Sequence, residues 1–140
     1  MILLDTNVVS ELMRPTPAPP VVAWFDLQPS SLLFLPAVAK AEIETGIVLL
    51  SDGKRRDALK LAADAVFAEF EDRCLALDCV AAPTYAQVLA VSKQMGRPMS
   101  LEEAQIAAIA LANGFKLATR NQQDFDFLRE LVLVDPWESQ

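Results

Sequence analysis

The sequence contains no histidine among its 140 residues. That absence excludes Ser-His-Asp and Cys-His catalysis, histidine-ligated zinc or iron, and any acid–base step that uses an imidazole. Only two cysteines are present, Cys74 and Cys79, which are too few for a disulfide scaffold and, without histidine, cannot complete a four-ligand zinc site. Any chemistry in this chain must therefore use carboxylates, hydroxyls or a hard metal ion.

Glycine is also scarce, and long apolar runs are missing. The four glycines fit neither the dinucleotide-binding pattern G-x-G-x-x-G nor the P-loop pattern, so the usual phosphate-binding loops are excluded. No uncharged stretch reaches the roughly 18 residues that a membrane-spanning helix needs. The N-terminus has no basic segment followed by an apolar run and a small-residue cleavage site, so we expect a cytoplasmic protein without membrane association.

The charge balance is acidic, with 12 basic and 19 acidic residues and a net charge of −7. This balance argues against a protein that coats nucleic acid indiscriminately, because binding to phosphates depends on clustered lysine and arginine. It is compatible with a nuclease whose acidic pocket contributes much of the negative charge. Hydrophobic residues make up 53% of the chain, which favours one globular domain over residues 1–140.

Short apolar runs alternate along the chain with segments of helical periodicity, a pattern typical of a parallel sheet between two layers of helices. We therefore predict an α/β fold of three layers, α/β/α, with about five parallel strands. The predicted strands cover residues 2–4, 32–35, 75–77, 116–119 and 131–134, and the predicted helices cover 8–13, 21–27, 37–50, 54–73, 80–95 and 101–113.

Four acidic residues lie where such a fold would bring them together. Asp5 ends the first strand and Asp124 follows the fourth, while Glu42 and Glu103 lie on helices after strand two and before strand four. Ligands of these folds bind outside the carboxyl ends of the strands. Two carboxylates about 4 Å apart repel by about 4 kcal/mol at an effective dielectric constant near 20, so such a cluster requires protons or a divalent cation. Oxygen-only ligands favour Mg²⁺ or Mn²⁺.

Four motifs in this order resemble those of the PIN-domain ribonucleases, and especially the VapC/FitB-type toxins of bacterial toxin–antitoxin pairs. The resemblance extends from residue 1 to about residue 136. The motifs are Leu-Leu-Asp-Thr-Asn at 3–7, Ala-Glu-Ile-Glu-Thr-Gly at 41–46, Gly-Arg-Pro-Met at 96–99 followed by Ala-Gln-Ile-Ala-Ala at 104–108, and Ala-Thr-Arg-Asn-Gln-Gln-Asp-Phe at 118–125.

The resemblance implies a PIN fold and RNA cleavage that depends on Mg²⁺ or Mn²⁺. It also implies a homodimer and neutralisation by a cognate antitoxin. Of the candidate catalytic residues, Asp5, Glu42 and Glu103 fall on the three core acids of the family, and either Asn121 or Asp124 falls on its more variable fourth position. The positions that line the site in relatives correspond to Thr6, Asn7 and Thr119.

A mechanism consistent with this resemblance is metal-assisted hydrolysis of RNA. Asp5 and Glu103 are the candidate metal ligands, with Glu42 and Asp124 binding a second ion or orienting water. The candidates for contact with the RNA backbone at the rim are Arg97 and Arg120, with Lys40 and Lys93 as weaker ones.

One position departs from the family pattern, because the family favours aspartate where this chain has Glu103. Ser100 and Glu103 also have the spacing of a helix capping box, so Glu103 has a purely structural interpretation as well. This leaves an alternative function, a PIN-scaffold binding protein with weakened or lost cleavage. A third interpretation, a receiver-type phosphoacceptor module, needs a lysine after the last strand, and no lysine follows Lys116.

We also expect an exposed apolar groove at which an antitoxin segment binds to the homodimer. The expectation rests on Trp24, Phe25 and the helices rich in alanine and leucine, which together carry more apolar surface than a core of this size is expected to use.

Overall fold

The structure is a computed structural model and describes residues 1–138. Five parallel strands form one sheet in the order β3-β2-β1-β4-β5, which confirms the predicted fold class. The strands are β1 (Ile2–Leu4), β2 (Leu33–Pro36), β3 (Cys74–Leu75), β4 (Lys116–Ala118) and β5 (Leu133–Val134).

Within residues 1–138, seven α-helices cover the sheet. They are α1 (Thr6–Leu12), α2 (Pro19–Leu27), α3 (Ala37–Val48), α4 (Lys54–Glu69), α5 (Ala82–Gln94), α6 (Leu101–Asn113) and α7 (Gln122–Phe125), and a short 3-10 helix covers Ser30–Leu32. In the described part of the chain, no helix is both long and apolar enough to cross a membrane.

The core is divided in two by the sheet, because successive side chains of a strand point to opposite faces. Leu4 belongs to the cluster that α1, α2, α3 and α4 cover. Its neighbour Leu3 belongs to the cluster that α5, α6 and α7 cover. This alternation produces the predicted three layers. It also explains why the strands are almost uniformly apolar, since both of their faces are buried.

Several predicted boundaries are wrong by a few residues, each for a local reason. The helix predicted to reach Arg73 ends at Glu69, because the carbonyl of Arg73 already accepts a sheet hydrogen bond from the Leu35 amide at 2.9 Å. The third strand accordingly starts at Cys74. The helix predicted from residue 80 starts at Ala82, because the Asp78 side chain accepts a hydrogen bond from the Ala81 amide at 2.9 Å and a turn precedes the helix.

The expectation that Trp24 contributes to an exposed apolar groove is wrong. Its side chain is only 3% exposed and packs in the core, with the ring of Phe25 edge-on at a centroid distance of 5.1 Å. Phe25 is partly buried against the same cluster. These two aromatic residues therefore stabilise the monomer and give no indication of a second copy.

Candidate active site

Asp5 lies at the centre of the carboxyl-terminal edge of the sheet. Its backbone amide continues the ladder by donating to the Ala118 carbonyl at 2.9 Å, and the next residue begins α1. Because β1 lies between β2 and β4, the connections on its two sides diverge at this point, which is where ligands bind in sheets of this kind. Asp5 also acts as the N-cap of α1, accepting the Thr6 amide at 2.8 Å.

Two further side chains orient the Asp5 carboxylate. The Thr119 hydroxyl donates to Oδ2 at 2.7 Å, and the Asn7 amide group donates to the same oxygen at 3.2 Å. Thr119 is completely buried, and its oxygen in turn accepts the Asn121 amide at 3.0 Å. The Asn7 carbonyl oxygen accepts the Arg120 amide at 3.2 Å. The segments after β1 and β4 are thus joined through the side chain of Asp5.

The charge on Asp5 is nevertheless costly. Burial raises the pKa of this carboxyl, since only 6% of the residue is exposed, and the donors from Thr119, Thr6 and Asn7 only partly oppose that effect. The negative charge of Asp124 raises the same pKa further. An acid kept in this environment gains from a positive charge placed beside it.

Glu42, on α3, joins the cluster through Thr6, whose hydroxyl donates to Glu42 Oε1 at 3.1 Å. Partial burial raises the pKa of Glu42, the Thr6 hydroxyl opposes this, and the charges of Glu102 and Asp5 raise it further. Thr6 therefore bonds to two of the predicted acids, with its amide on Asp5 and its hydroxyl on Glu42.

Glu103 has its predicted capping role, and its side chain lines the cleft. The capping box is complete, with the Ser100 amide donating to Glu103 Oε1 at 2.9 Å and the Glu103 amide donating to Ser100 Oγ at 3.1 Å. Glu103 also faces the cluster. Burial raises its pKa, the bond from the Ser100 amide opposes this, and the negative charge of Asp124 raises the pKa again.

An open cleft of about 360 Å³ collects most of the predicted site residues. Asp124 is not among the lining residues, but its negative charge raises the pKa of Asp5 and of Glu103. A larger cavity of about 520 Å³, between α5, the end of α6 and the segment after α7, contains none of these residues. The cleft is lined by Asp5, Thr6, Asn7, Ser10, Glu42, Ser100, Glu102, Glu103, Ile106 and Asn121.

Two acids of interest were not among the predicted site residues. Glu102 lines the cleft and repels Glu42, and the only sequence signal for it is its place in the first turn of α6. Glu11 is buried near the end of α1, where it accepts the Ala18 amide at 2.8 Å and pairs with Arg14. No local pattern in the sequence distinguishes Glu11 from a solvated helix residue.

The predicted rim cations differ in their surroundings. Arg97 donates to Asp126 and to the Gln123 carbonyl. The guanidinium of Arg120 lies 4.9 Å from the centroid of the Trp137 ring. Of the weaker candidates, Lys40 lies over the ring of Phe67 on α4 and Lys93 is exposed near the end of α5.

The donor chemistry of the cleft fits a hard divalent cation, because its acidic residues offer only carboxylate oxygens and burial and mutual repulsion raise the pKa of three of them. Over residues 1–138, no group of three or more acidic or cysteine side chains is already arranged to hold one metal ion. The cleft therefore offers the type of ligand that such an ion prefers, but the described side chains do not form a complete coordination shell.

Comparison with known proteins identifies the fold and the relatives. A family model described as "PIN domain" matches residues 2–130. The chain is 41% identical to the plasmid stability protein StbB of Pseudomonas syringae pv. tomato, with 99% of this chain and 100% of that protein covered. It is 37% identical to the VapC ribonuclease Y4jK of Sinorhizobium fredii, covering 99% of both. It is 36% identical to the toxin FitB of Neisseria gonorrhoeae, covering 98% and 99%.

A solved structure, that of FitAB bound to an IR36 DNA fragment, superposes on the whole chain. The TM-score is 0.90 at 34% identity, and the match covers 100% of this chain and 98% of the other. Since the relatives align over nearly their full length, the agreement includes the segments that carry the acidic cluster.

Proposed function

This chain belongs to the PIN-domain family, and we propose that it is the toxin of a type II toxin–antitoxin pair that hydrolyses RNA phosphodiester bonds with Mg²⁺ or Mn²⁺. The observation that carries the proposal is the convergence in one cleft of acids from the end of β1, from α3 and from α6, with the charge of Asp124 on α7 acting on two of them. The name of one relative, a VapC ribonuclease, supports the reaction, and that of another, the toxin FitB, supports the biological role.

In this proposal Asp5 and Glu103 hold the cation, and Glu42 and Asp124 orient water or assist in binding a second ion. The chemistry that a divalent cation supplies when bound is activation of water and stabilisation of charge on the phosphate oxygens. The protein's own contribution is orientation. Thr119 and Asn7 donate hydrogen bonds to one oxygen of Asp5 and so fix the orientation of its carboxylate. The direction in which this carboxylate can bind a further ligand is thereby defined.

The raised pKa values also contribute to this function. Because burial and repulsion disfavour the charged acids, binding of a cation relieves a cost already present in the folded protein. The partners in this proposal are an RNA substrate and a cognate antitoxin protein. The solved FitAB structure supports a protein partner for this chain. We further propose a homodimer that acts in the cytoplasm, where the RNA is.

A second candidate function rests on the capping box. One oxygen of Glu103 is bonded to the Ser100 amide, and that bond competes with metal binding. If the competition is strong, the chain is a PIN-scaffold binding protein with weakened or lost cleavage. The two functions differ in one measurable property, the cleavage of RNA by the purified chain.

The test is cleavage of a structured RNA by protein purified free of antitoxin, with Mg²⁺ or Mn²⁺ and with EDTA. We expect cleavage with either ion and none in EDTA, because the chain has no histidine that could act as a general base in place of a metal ion. The Asp5→Asn variant, purified identically, controls for contaminating ribonucleases. Undiminished cleavage in EDTA would contradict the metal mechanism, and no cleavage under any condition would favour the binding protein.

A further inference from the structure

Arg97 lies in the turn between α5 and α6, and both of its backbone polar groups are bonded to one buried serine. The Arg97 amide donates to the Ser92 carbonyl at 3.0 Å, and the Arg97 carbonyl accepts the Ser92 hydroxyl at 2.5 Å. Ser92 is only 6% exposed. The backbone from which the guanidinium extends is therefore firmly held against the end of α5.

The guanidinium of Arg97 reaches the segment that contains α7. Its Nη2 donates to the Gln123 carbonyl at 2.6 Å and to Asp126 Oδ1 at 2.8 Å, and its centre lies 5.0 Å from the centroid of the Phe127 ring. Gln123 and Asp126 lie on either side of Asp124 in the chain. Arg97 thus holds the segment of Asp124 at two points close to that acid.

The turn that contains Arg97 leads directly to Glu103, the acid on which the charge of Asp124 acts. Three residues after Arg97, Ser100 begins α6 and caps it together with Glu103. Asp124 lies close enough to Glu103 for its negative charge to act on that carboxyl, and like charges repel. α7 has only four residues, so its own hydrogen bonds provide little to hold Asp124 against that repulsion.

From these contacts we propose that Arg97 is a positioning residue, which holds Asp124 beside Glu103 and so maintains the cleft's capacity for a divalent cation. Its guanidinium acts on the protein rather than on the RNA backbone. The effect on metal binding rests on the proposed function, whereas the effect on the position of α7 does not. The experiment therefore measures the two effects separately.

The first measurement is amide hydrogen exchange in the metal-free protein. Arg97→Gln removes the charge and the guanidinium donors, and Arg97→Lys keeps the charge but loses the planar guanidinium and its fixed donor geometry. We expect faster exchange at the amides of residues 124–128 in Arg97→Gln and an intermediate rate in Arg97→Lys. The matched control is Arg129→Gln, which removes an equal charge from a nearby arginine and should leave these rates unchanged.

The second measurement is Mn²⁺ binding by titration calorimetry, together with RNA cleavage at varied Mn²⁺ and RNA concentrations. We expect Arg97→Gln to weaken Mn²⁺ binding about 10-fold, at the low end of the loss typical of residues that orient metal ligands. The KM for RNA at saturating Mn²⁺ should stay unchanged. Asp126→Asn should produce part of the same loss, and the double variant should lose less than the sum, because both changes break one contact.

Three results would overturn the proposal. A raised KM for RNA with unchanged Mn²⁺ binding would make Arg97 an RNA contact. Unchanged exchange at residues 124–128 would show that Arg97 does not hold α7. If Arg97→Gln does not fold, the same comparisons are made on Arg97→Lys and Asp126→Asn, and normal exchange in both would also refute it. If the parent protein neither binds Mn²⁺ nor cleaves RNA, the proposed function fails and exchange still decides the position of α7.

Discussion

Asp5 caps the start of α1 and Glu11 lies in its last turn, and each of these two acids is 6% exposed. They differ in what surrounds the charge. Burial raises the pKa of Asp5 even though three groups donate to it, and Asp124 adds repulsion. The Ala18 amide, and to a lesser degree Arg14, lower the pKa of Glu11 below its usual value.

The difference separates a structural acid from a proposed metal ligand at the two ends of one helix. Glu11 closes the loop after α1 by accepting the Ala18 amide, so its negative charge stabilises the fold. Burial and the nearby charge of Asp124 instead disfavour the ionised form of Asp5. A charge that the fold does not favour is typical of a site where a ligand supplies the missing positive charge.

The largest expected effect is on activity, in the Asp5→Asn variant. Asparagine keeps an oxygen for the Thr6 amide but loses the charge, so we expect RNA cleavage to fall at least about 100-fold, as when one group that stabilises transition-state charge is removed. The fold should remain. The measurement is single-turnover cleavage with Mn²⁺, together with the melting temperature.

Asp26→Asn, at an exposed acid on α2, is the matched control and should cleave at the parental rate. If Asp5→Asn melts well below the parent yet retains its activity, Asp5 is a structural acid like Glu11 and the comparison fails.

The second effect is on stability, at Glu11. Glu11→Ala leaves the Ala18 amide without its acceptor, and we expect a loss of about 1 to 3 kcal/mol in the free energy of unfolding. Glu11→Gln keeps an acceptor oxygen and should lose less. Urea unfolding measures both.

Cleavage per folded molecule should be unchanged in the two Glu11 variants, because Glu11 does not line the cleft. A fall in the cleavage rate of the folded fraction would place Glu11 in the site and remove the distinction drawn between the two acids.

The sequence predicts the acids of the cleft better than it predicts what holds them. Asp5 is found because an apolar run stops at an acid, and Glu103 because it lies on the helix before the fourth strand, within a motif that resembles the PIN-domain ribonucleases. Glu11 and Arg97 are missed as structural residues, since their partners are the Ala18 amide and the segment around Asp126. Contacts to backbone groups and to residues distant in the chain leave no periodic pattern.

Strand ends are mispredicted for a related reason. β3 and β5 have two residues each, which is too short for any alternation to be read. Their limits are set by pairing with neighbours, as when the Leu35 amide bonds to the carbonyl of Arg73. Helices with long apolar faces, such as α6 between Ser100 and Gly114, are predicted correctly because their caps lie in the adjacent sequence.

A smaller effect is expected at Glu103, where the structural and functional roles meet in one side chain. Glu103→Asp draws the carboxylate back by about one carbon–carbon bond, roughly 1.5 Å. Mg²⁺ requires ligands in near-octahedral geometry at about 2.0 to 2.1 Å. The shorter aspartate side chain also loses the hydrogen bond from the Ser100 amide, which competes with metal binding. We therefore expect cleavage to increase and Mn²⁺ to bind more tightly, with a loss of about 0.3 to 0.5 kcal/mol in helix stability.

Glu102→Asp shortens the neighbouring acid by the same amount and should change cleavage less. Titration calorimetry and cleavage assays on both variants decide the matter. Equal or weaker Mn²⁺ binding in Glu103→Asp would show that glutamate is already an adapted ligand or is no ligand.

The smallest effect is the pH dependence of stability without divalent cations. The pKa of Asp5 is raised in the folded state, so as pH rises past the usual aspartate range the unfolded chain loses its proton first and folding is disfavoured. Asp5→Asn should therefore be equal to or slightly more stable than the parent at pH 7, with the difference vanishing in acid.

The pH dependence of stability that Glu11 contributes has the opposite sign. Its pKa is lowered in the folded state, so its contribution to stability is complete above the usual glutamate range and is lost as pH falls through the lowered value. Glu11→Gln should cost most at pH 7 and least in acid. Urea unfolding of both variants in EDTA from pH 3 to 7 measures the two slopes. Slopes of the same sign would mean that ionisation of Asp5 and of Glu11 affects the stability of the fold in the same direction. The raised pKa of Asp5 would then not indicate a ligand site.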